Sequence, residues 1–166
     1  MMVASAGCAT TRNGPSVTEI QDIRLGPGLQ KEKEIYKDYS LKEHFAWPVR
    51  GPIISQFGAR IDRTKNKGID IRSEQGKAIR ASRAGTVVFS DDKLKGFGKT
   101  IILDHGDSYQ TVYAYNSEIL ARVGDRVARN DVIAKAGRTG RAKESSLHFE
   151  IRVNGEPRDP YYYLTQ

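Results

Sequence analysis

From Trp47 onward, apolar residues fall in short β-branched runs separated by Gly, Asp and Asn. Strands that bury one face alternate apolar and polar positions with period two, so this is the pattern of an antiparallel β domain. It predicts strands at 53–57, 85–90, 99–104, 109–115, 131–137 and 147–153. His105-Gly106-Asp107-Ser108 separates two of these runs and reads as the turn of a hairpin, Val123 to Val127 as a glycine-bearing turn, and Asn154-Gly155 as the turn after the final strand. Little helix is expected beyond residue 46.

The chain before Trp47 has a different texture. Residues 9–16 are small and polar, and residues 17–46 carry a few apolar side chains among alternating charges, broken at Gly26-Pro27-Gly28. We read 9–45 as a tether, with one short helix expected near 30–37. No internal repeat occurs. A length of 166 residues suits one domain better than two, and 38% hydrophobic residues supply enough apolar surface for a packed core. No apolar run approaches the roughly 20 residues of a membrane helix.

Charge sharpens the division. The 27 basic and 20 acidic residues give +7, and because residues 1–45 hold six of each sign, the whole excess lies on residues 46–166. That part of the chain suits an anionic partner. Such a surface could contact nucleic-acid phosphates, but no nucleic-acid recognition motif is present, and a nucleic acid is not expected as the partner. The loop 137–143, with Arg138, Arg141 and Lys143, precedes the final strand and reads either as a solvated loop or as a basic rim.

A single cysteine excludes an intramolecular disulfide. Val3-Ala4-Ser5-Ala6-Gly7-Cys8 resembles the end of a bacterial lipoprotein signal, in which the cysteine becomes the acylated first residue. That resemblance implies a signal remnant at 1–8, a lipid anchor on Cys8 as the only link to a membrane, and a periplasmic place in the cell envelope. An incidental cysteine in an unstructured stretch is the alternative.

Several separated motifs, in order, carry a second resemblance: Trp47-Pro48-Val49, Phe57-Gly58-Ala59-Arg60, Gly68-Ile69-Asp70-Ile71, Gly85-Thr86-Val87, Gly124-Asp125-Arg126-Val127 and Leu147-His148-Phe149-Glu150-Ile151-Arg152. Together they resemble the LytM-type, or lysostaphin-like, peptidoglycan endopeptidase domain over residues 46–164. Within that family the wording Asn66-Lys67-Gly68-Ile69-Asp70-Ile71 is most similar to the NlpD-type murein hydrolase activators. The resemblance implies a mostly β fold, a single antiparallel-sheet domain with a groove across one sheet.

Active members of that family hold zinc with a His four residues before an Asp and with the second His of a His-x-His-Phe-Glu strand, and use two further histidines nearby. Mapped onto this chain, the ligand positions are Asn66, Asp70 and His148, and the assisting positions are Tyr115 and Ser146. A catalytic zinc needs about three protein ligands and a bound water, and a neutral amide is a poor donor to it. The resemblance therefore implies no cofactor, Asp70 and His148 as vestigial ligands bonded to each other, and no catalytic residue. Strand alternation puts Glu150 on the same face as His148, where it can hold the ring. Ser146, His148 and Asp70 could suggest a hydrolytic triad, but no glycine-rich elbow surrounds Ser146. His44, in the tether, and His105, in a turn, are expected to be solvated or locally bonded.

The function implied is a non-catalytic envelope protein that activates a peptidoglycan amidase through a vacant groove formed by Asn66, Asp70, Tyr115, Ser146 and His148. A peptidoglycan-binding module is the first alternative and a residual zinc endopeptidase the second.

Overall fold

The β-branched runs form strands wherever a Gly, Asp or Asn turn lets the chain reverse. In the computed structural model, which describes residues 45–61 and 64–165, these are β1 (Ile53–Ser55), β2 (Arg60–Ile61), β3 (Thr64–Lys65), β4 (Ile69–Arg72), β5 (Ala78–Arg80), β6 (Gly85–Asp91), β7 (Lys99–Asp104), β8 (Tyr109–Asn116), β9 (Glu118–Ile119), β10 (Arg126–Val127), β11 (Val132–Lys135), β12 (Ser146–Val153) and β13 (Glu156–Arg158). The only helical element among the described residues is a 3-10 turn, Pro160–Tyr162, capped by the Asp159 side chain. No helix among them is long and apolar enough to cross a membrane. All the described residues lie in one unit of the chain, Ile35–Gln166.

The main sheet runs in the order β1-β4-β12-β8-β7-β6-β10, with β13 also paired to β12. Every pairing in it is antiparallel. A three-stranded sheet, β5-β11-β9, and the β2-β3 ribbon complete the fold. The six expected strands all form, with bounds shifted by a few residues. The elements that periodicity missed are β2, β3, β4, β5, β9, β10 and β13, each of two to four residues, too short for an alternation to register. The expected helix near 30–37, Cys8, His44 and the tether as far as residue 44 lie outside the described residues, whereas Phe45, expected at the end of the tether, belongs to the hydrophobic core.

The hairpin between β7 and β8 turns where the sequence placed it. Gly106 N–H donates to the Asp104 carboxylate at 2.8 Å, and His105 N–H to the Tyr109 carbonyl at 2.9 Å. His105, expected to be solvated or locally bonded, instead bridges to a distant segment: one ring nitrogen meets the Ala84 carbonyl at 2.8 Å and the other the Thr111 hydroxyl at 2.7 Å. Phe45 is fully buried and packs edge-on to His105 and Tyr163.

Strand β12 organises the domain because it lies between β4 and β8 and is buried on both faces. Leu147, Phe149 and Ile151 pack with Ile69, Ile71, Ile101 and Leu103 in the hydrophobic core. Period-two alternation sends Ser146, His148 and Glu150 to the opposite face, which is where the candidate site lies. Gly68, just before β4, is required by the closeness of this packing: a Cβ there would collide with the Phe149 carbonyl.

Candidate functional site

Register assembles the site. β4 and β12 pair with Asp70 directly opposite His148, and on the other side of β12 His148 faces Ala114, next to Tyr115. His148 Nδ1 lies 2.7 Å from Asp70 Oδ1, and Nε2 lies 3.0 Å from Glu150 Oε1. The second Glu150 oxygen accepts from Arg152 Nε at 2.7 Å. Asp70, His148, Glu150 and Arg152 thus form a line of alternating charge, with Glu150 wholly buried within it. Phe97 packs edge-on to the imidazole and Tyr115 lies tilted against it, both with ring centroids 5.3 Å away.

An imidazole with a carboxylate on each nitrogen satisfies both only as the imidazolium, which carries two N–H donors. Burial works against that charge, but the hydrogen bonds to Asp70 and Glu150 outweigh it and hold the His148 pKa above the ordinary histidine value. Burial likewise opposes the Glu150 anion, while the bond to His148 and the nearby Arg152 keep its pKa below the ordinary glutamate value. His105 is the opposite case, because burial holds its pKa below the ordinary value.

These directions have opposite consequences for stability. The His148 contribution is fully present below the unfolded pKa of about 6.5 and is lost as pH rises through the higher folded value. The His105 contribution is present above about 6.5 and is lost as pH falls toward the lower folded value. A pH titration of the imidazole ring protons by NMR is expected to place the His148 midpoint above that of a free histidine and the His105 midpoint below it. A His148 midpoint below 6 would contradict the doubly bonded arrangement.

Asn66 is tied into a turn at the entry to β4. Its Oδ1 accepts from Gly68 N–H at 3.1 Å and its Nδ2 donates to Ser55 Oγ at 2.9 Å. Ser146 is almost fully buried, and its Oγ donates to the Glu144 carbonyl at 3.1 Å rather than to His148, so the geometry does not assemble a serine triad. Tyr115 has a left-handed backbone, φ 71°. Burial and the nearby Asp70 raise its hydroxyl pKa, while the nearby Arg141 guanidinium works the other way.

The five positions expected in one groove line two cavities. Asp70, Tyr115 and Ser146 line a groove of about 780 Å³, between the 53–60 segment and the 141–146 loop. Asn66 and His148 line a smaller pocket of about 190 Å³, with Phe97 and Glu150. Tyr115 and Arg141 belong to both. Lys143 lines the larger groove, whereas Arg138 is exposed on the loop and lines neither. Sequence reasoning missed Arg152, Phe97, Ser55 and the contact of Arg141 with Tyr115. Strand alternation carried one step past Glu150 would have reached Arg152; Phe97 and Ser55 arrive from distant loops and leave no local signal.

The 95–98 and 138–141 loops that roof the smaller pocket are locked together. Arg141 N–H donates to the Gly96 carbonyl at 2.9 Å. Gly140, at φ 63°, sits so close that a Cβ would stand 2.6 Å from the Gly96 oxygen.

Residues 64–160 match the sequence profile of peptidase family M23. The chain belongs to that family. The chain is 42% identical over 120 residues to the murein hydrolase activator NlpD of Escherichia coli K12, an alignment covering 72% of this chain and 31% of that protein. It is 39% identical over 120 residues to the lipoprotein NlpD/LppB homolog of Pseudomonas aeruginosa, covering 72% and 39%. The chain therefore spans roughly a third of the length of these relatives. Among solved structures, a zinc-containing peptidase from Vibrio cholerae superposes with a TM-score of 0.66 at 27% identity, covering 74% of this chain and 40% of that one.

Proposed function

We propose that this M23 domain is a non-catalytic cell-envelope protein that activates a peptidoglycan amidase through the groove beside Tyr115. One observation carries the reading: the positions where the family's active members hold zinc are committed to other bonds. Asn66 offers a neutral amide oxygen that already accepts from Gly68 N–H. Asp70 and His148 are bonded to each other, and the second nitrogen of His148 meets Glu150. This donor set does not fit a catalytic zinc, which needs about three free ligands. Tyr115 and Ser146 supply no imidazole to move a proton, a contribution worth roughly 10²–10⁴-fold in rate.

A groove that does no chemistry still binds. A partner segment seated in it changes the partner's activity only through unequal affinity for its resting and active states. The names of the relatives, a murein hydrolase activator and a lipoprotein homolog, support an envelope location and a hydrolase as the partner. In this reading Cys8 carries the lipid anchor and the tether, expected over 9–45, ends at residue 44, because Phe45 belongs to the core of the activating domain otherwise expected at 46–164. A second reading is favoured by the basic residues beside the groove, Arg141 and Lys143: a module that binds peptidoglycan and localises another protein.

Amidase turnover on dye-labelled wall, measured with and without the chain, separates the two. Stimulation without tight sedimentation on wall is expected; wall binding without stimulation would favour the module. Elemental analysis of the purified chain is expected to find well under one zinc per chain, and stoichiometric zinc with chelator-sensitive wall cleavage would overturn the proposal.

A further inference from the structure

Among the described residues, the acids and bases that line the cavities around Tyr115 differ in one respect: the acids enter ion pairs and the bases do not. Asp70 is bonded to His148, Glu150 to His148 and Arg152, and Glu144 to Arg72 at 2.7 Å. The lining cations Arg60, Lys65, Lys67, Lys95, Arg141 and Lys143 enter no ion pair among the described residues. They surround three adjoining cavities, the two described above and a third of about 440 Å³ lined by Lys95, Gly96, Gly140 and Arg141. Arg141 lines all three, its backbone fixed on Gly96 and its guanidinium near Tyr115.

A surface whose described negative charges are internally neutralised, and whose positive charges enter no ion pair among the described residues, has a net preference for an anion. The larger groove also presents Ile53, Ile54, Ala59 and Ala142, apolar area that a phosphate or sugar-acid polymer would leave unused. Resting on the activator reading, we infer that the segment received here is an acidic peptide stretch carrying aliphatic side chains, and that Arg141 is the residue that reads its charge. The aliphatic side chains fill the groove between β1 and the 141–146 loop. The carboxylates meet Arg141 and the cations on either side of it, so the peptide spans the junction of the three cavities rather than ending at the groove.

The test measures fluorescence anisotropy of a labelled peptide of Glu, Ala and Leu with the full chain. Its Gln-for-Glu counterpart serves as a second probe and inorganic polyphosphate as a competitor. The acidic peptide is expected to bind about tenfold or more tightly than the Gln peptide, with an affinity that falls as salt rises. Arg141→Glu is expected to weaken it by about tenfold or more. Arg126→Glu, the same charge change on exposed β10 at the opposite end of the main sheet, is expected to cost no more than about twofold. Arg141→Gln keeps the loop length without reversing charge and should fall between them, and melting temperature reports whether each variant folds.

Equal losses for the Arg141 and Arg126 variants would mean that only net charge matters, and would overturn the inference. So would equal binding of the Gln peptide, no binding of the acidic peptide, or displacement by polyphosphate at equal charge concentration. Amidase stimulation by the unmodified chain is scored separately. If it persists while the peptide result fails, the acidic-peptide inference falls and the activator reading stands; if it is absent, that reading falls by itself.

Discussion

Glu150→Ala is expected to destabilise the domain by about 3–5 kcal/mol, because it removes the central anion from a buried line of charge and leaves two cations without it. Glu150 is wholly buried, holding His148 at 3.0 Å through one oxygen and Arg152 at 2.7 Å through the other. Without it, His148 either stays charged with one partner or gives up its proton, and Arg152 must turn to solvent. Glu150→Gln keeps the volume and one acceptor and should lose less. Urea denaturation at neutral pH measures both variants. A loss for the alanine variant below about 1 kcal/mol would show that water replaces the carboxylate, contrary to the burial described.

Ala142→Trp is expected to remove amidase stimulation by about tenfold or more while leaving the unfolding midpoint nearly unchanged, since obstructing the centre of a binding groove affects the contacts that dominate affinity. Ala142 lines the larger groove from a half-exposed loop position, so a large ring there can occupy the groove without entering the core. Ser146 lines the same groove but is only 2% exposed and lies within β12 opposite Arg72, where an indole would force the strands apart. Normal stimulation by a folded Ala142→Trp chain would mean that the partner binds elsewhere.

The long strands and the main hairpin were legible in the sequence because each is an apolar run bounded by residues that permit a reversal. The remaining strands, β2, β3, β4, β5, β9, β10 and β13, were not, since their existence depends on partners far along the chain rather than on their own pattern. β13, for example, forms by pairing back onto β12 beyond the Asn154-Gly155 turn. At the site, the spacing of Asp70 and the strand bearing His148 and Glu150 was enough to expect one face. The pairing of His148 with Asp70 then follows from the β4 and β12 register. The split into two cavities was not legible, because it is made by Arg141 reaching Tyr115 from a loop whose path depends on Gly96 and Gly140 packing backbone to backbone. Sequence shows the charge of Arg141 but not its position between the cavities.

The central claim, activation without catalysis, is tested most directly by treating the chain with chelator, removing the chelator, and titrating the chain into a fixed concentration of purified amidase on dye-labelled wall. The account predicts that the stripped chain releases no dye alone and stimulates the amidase as fully as the untreated chain. Dye release by the chain alone, restored by adding zinc after stripping, would contradict it.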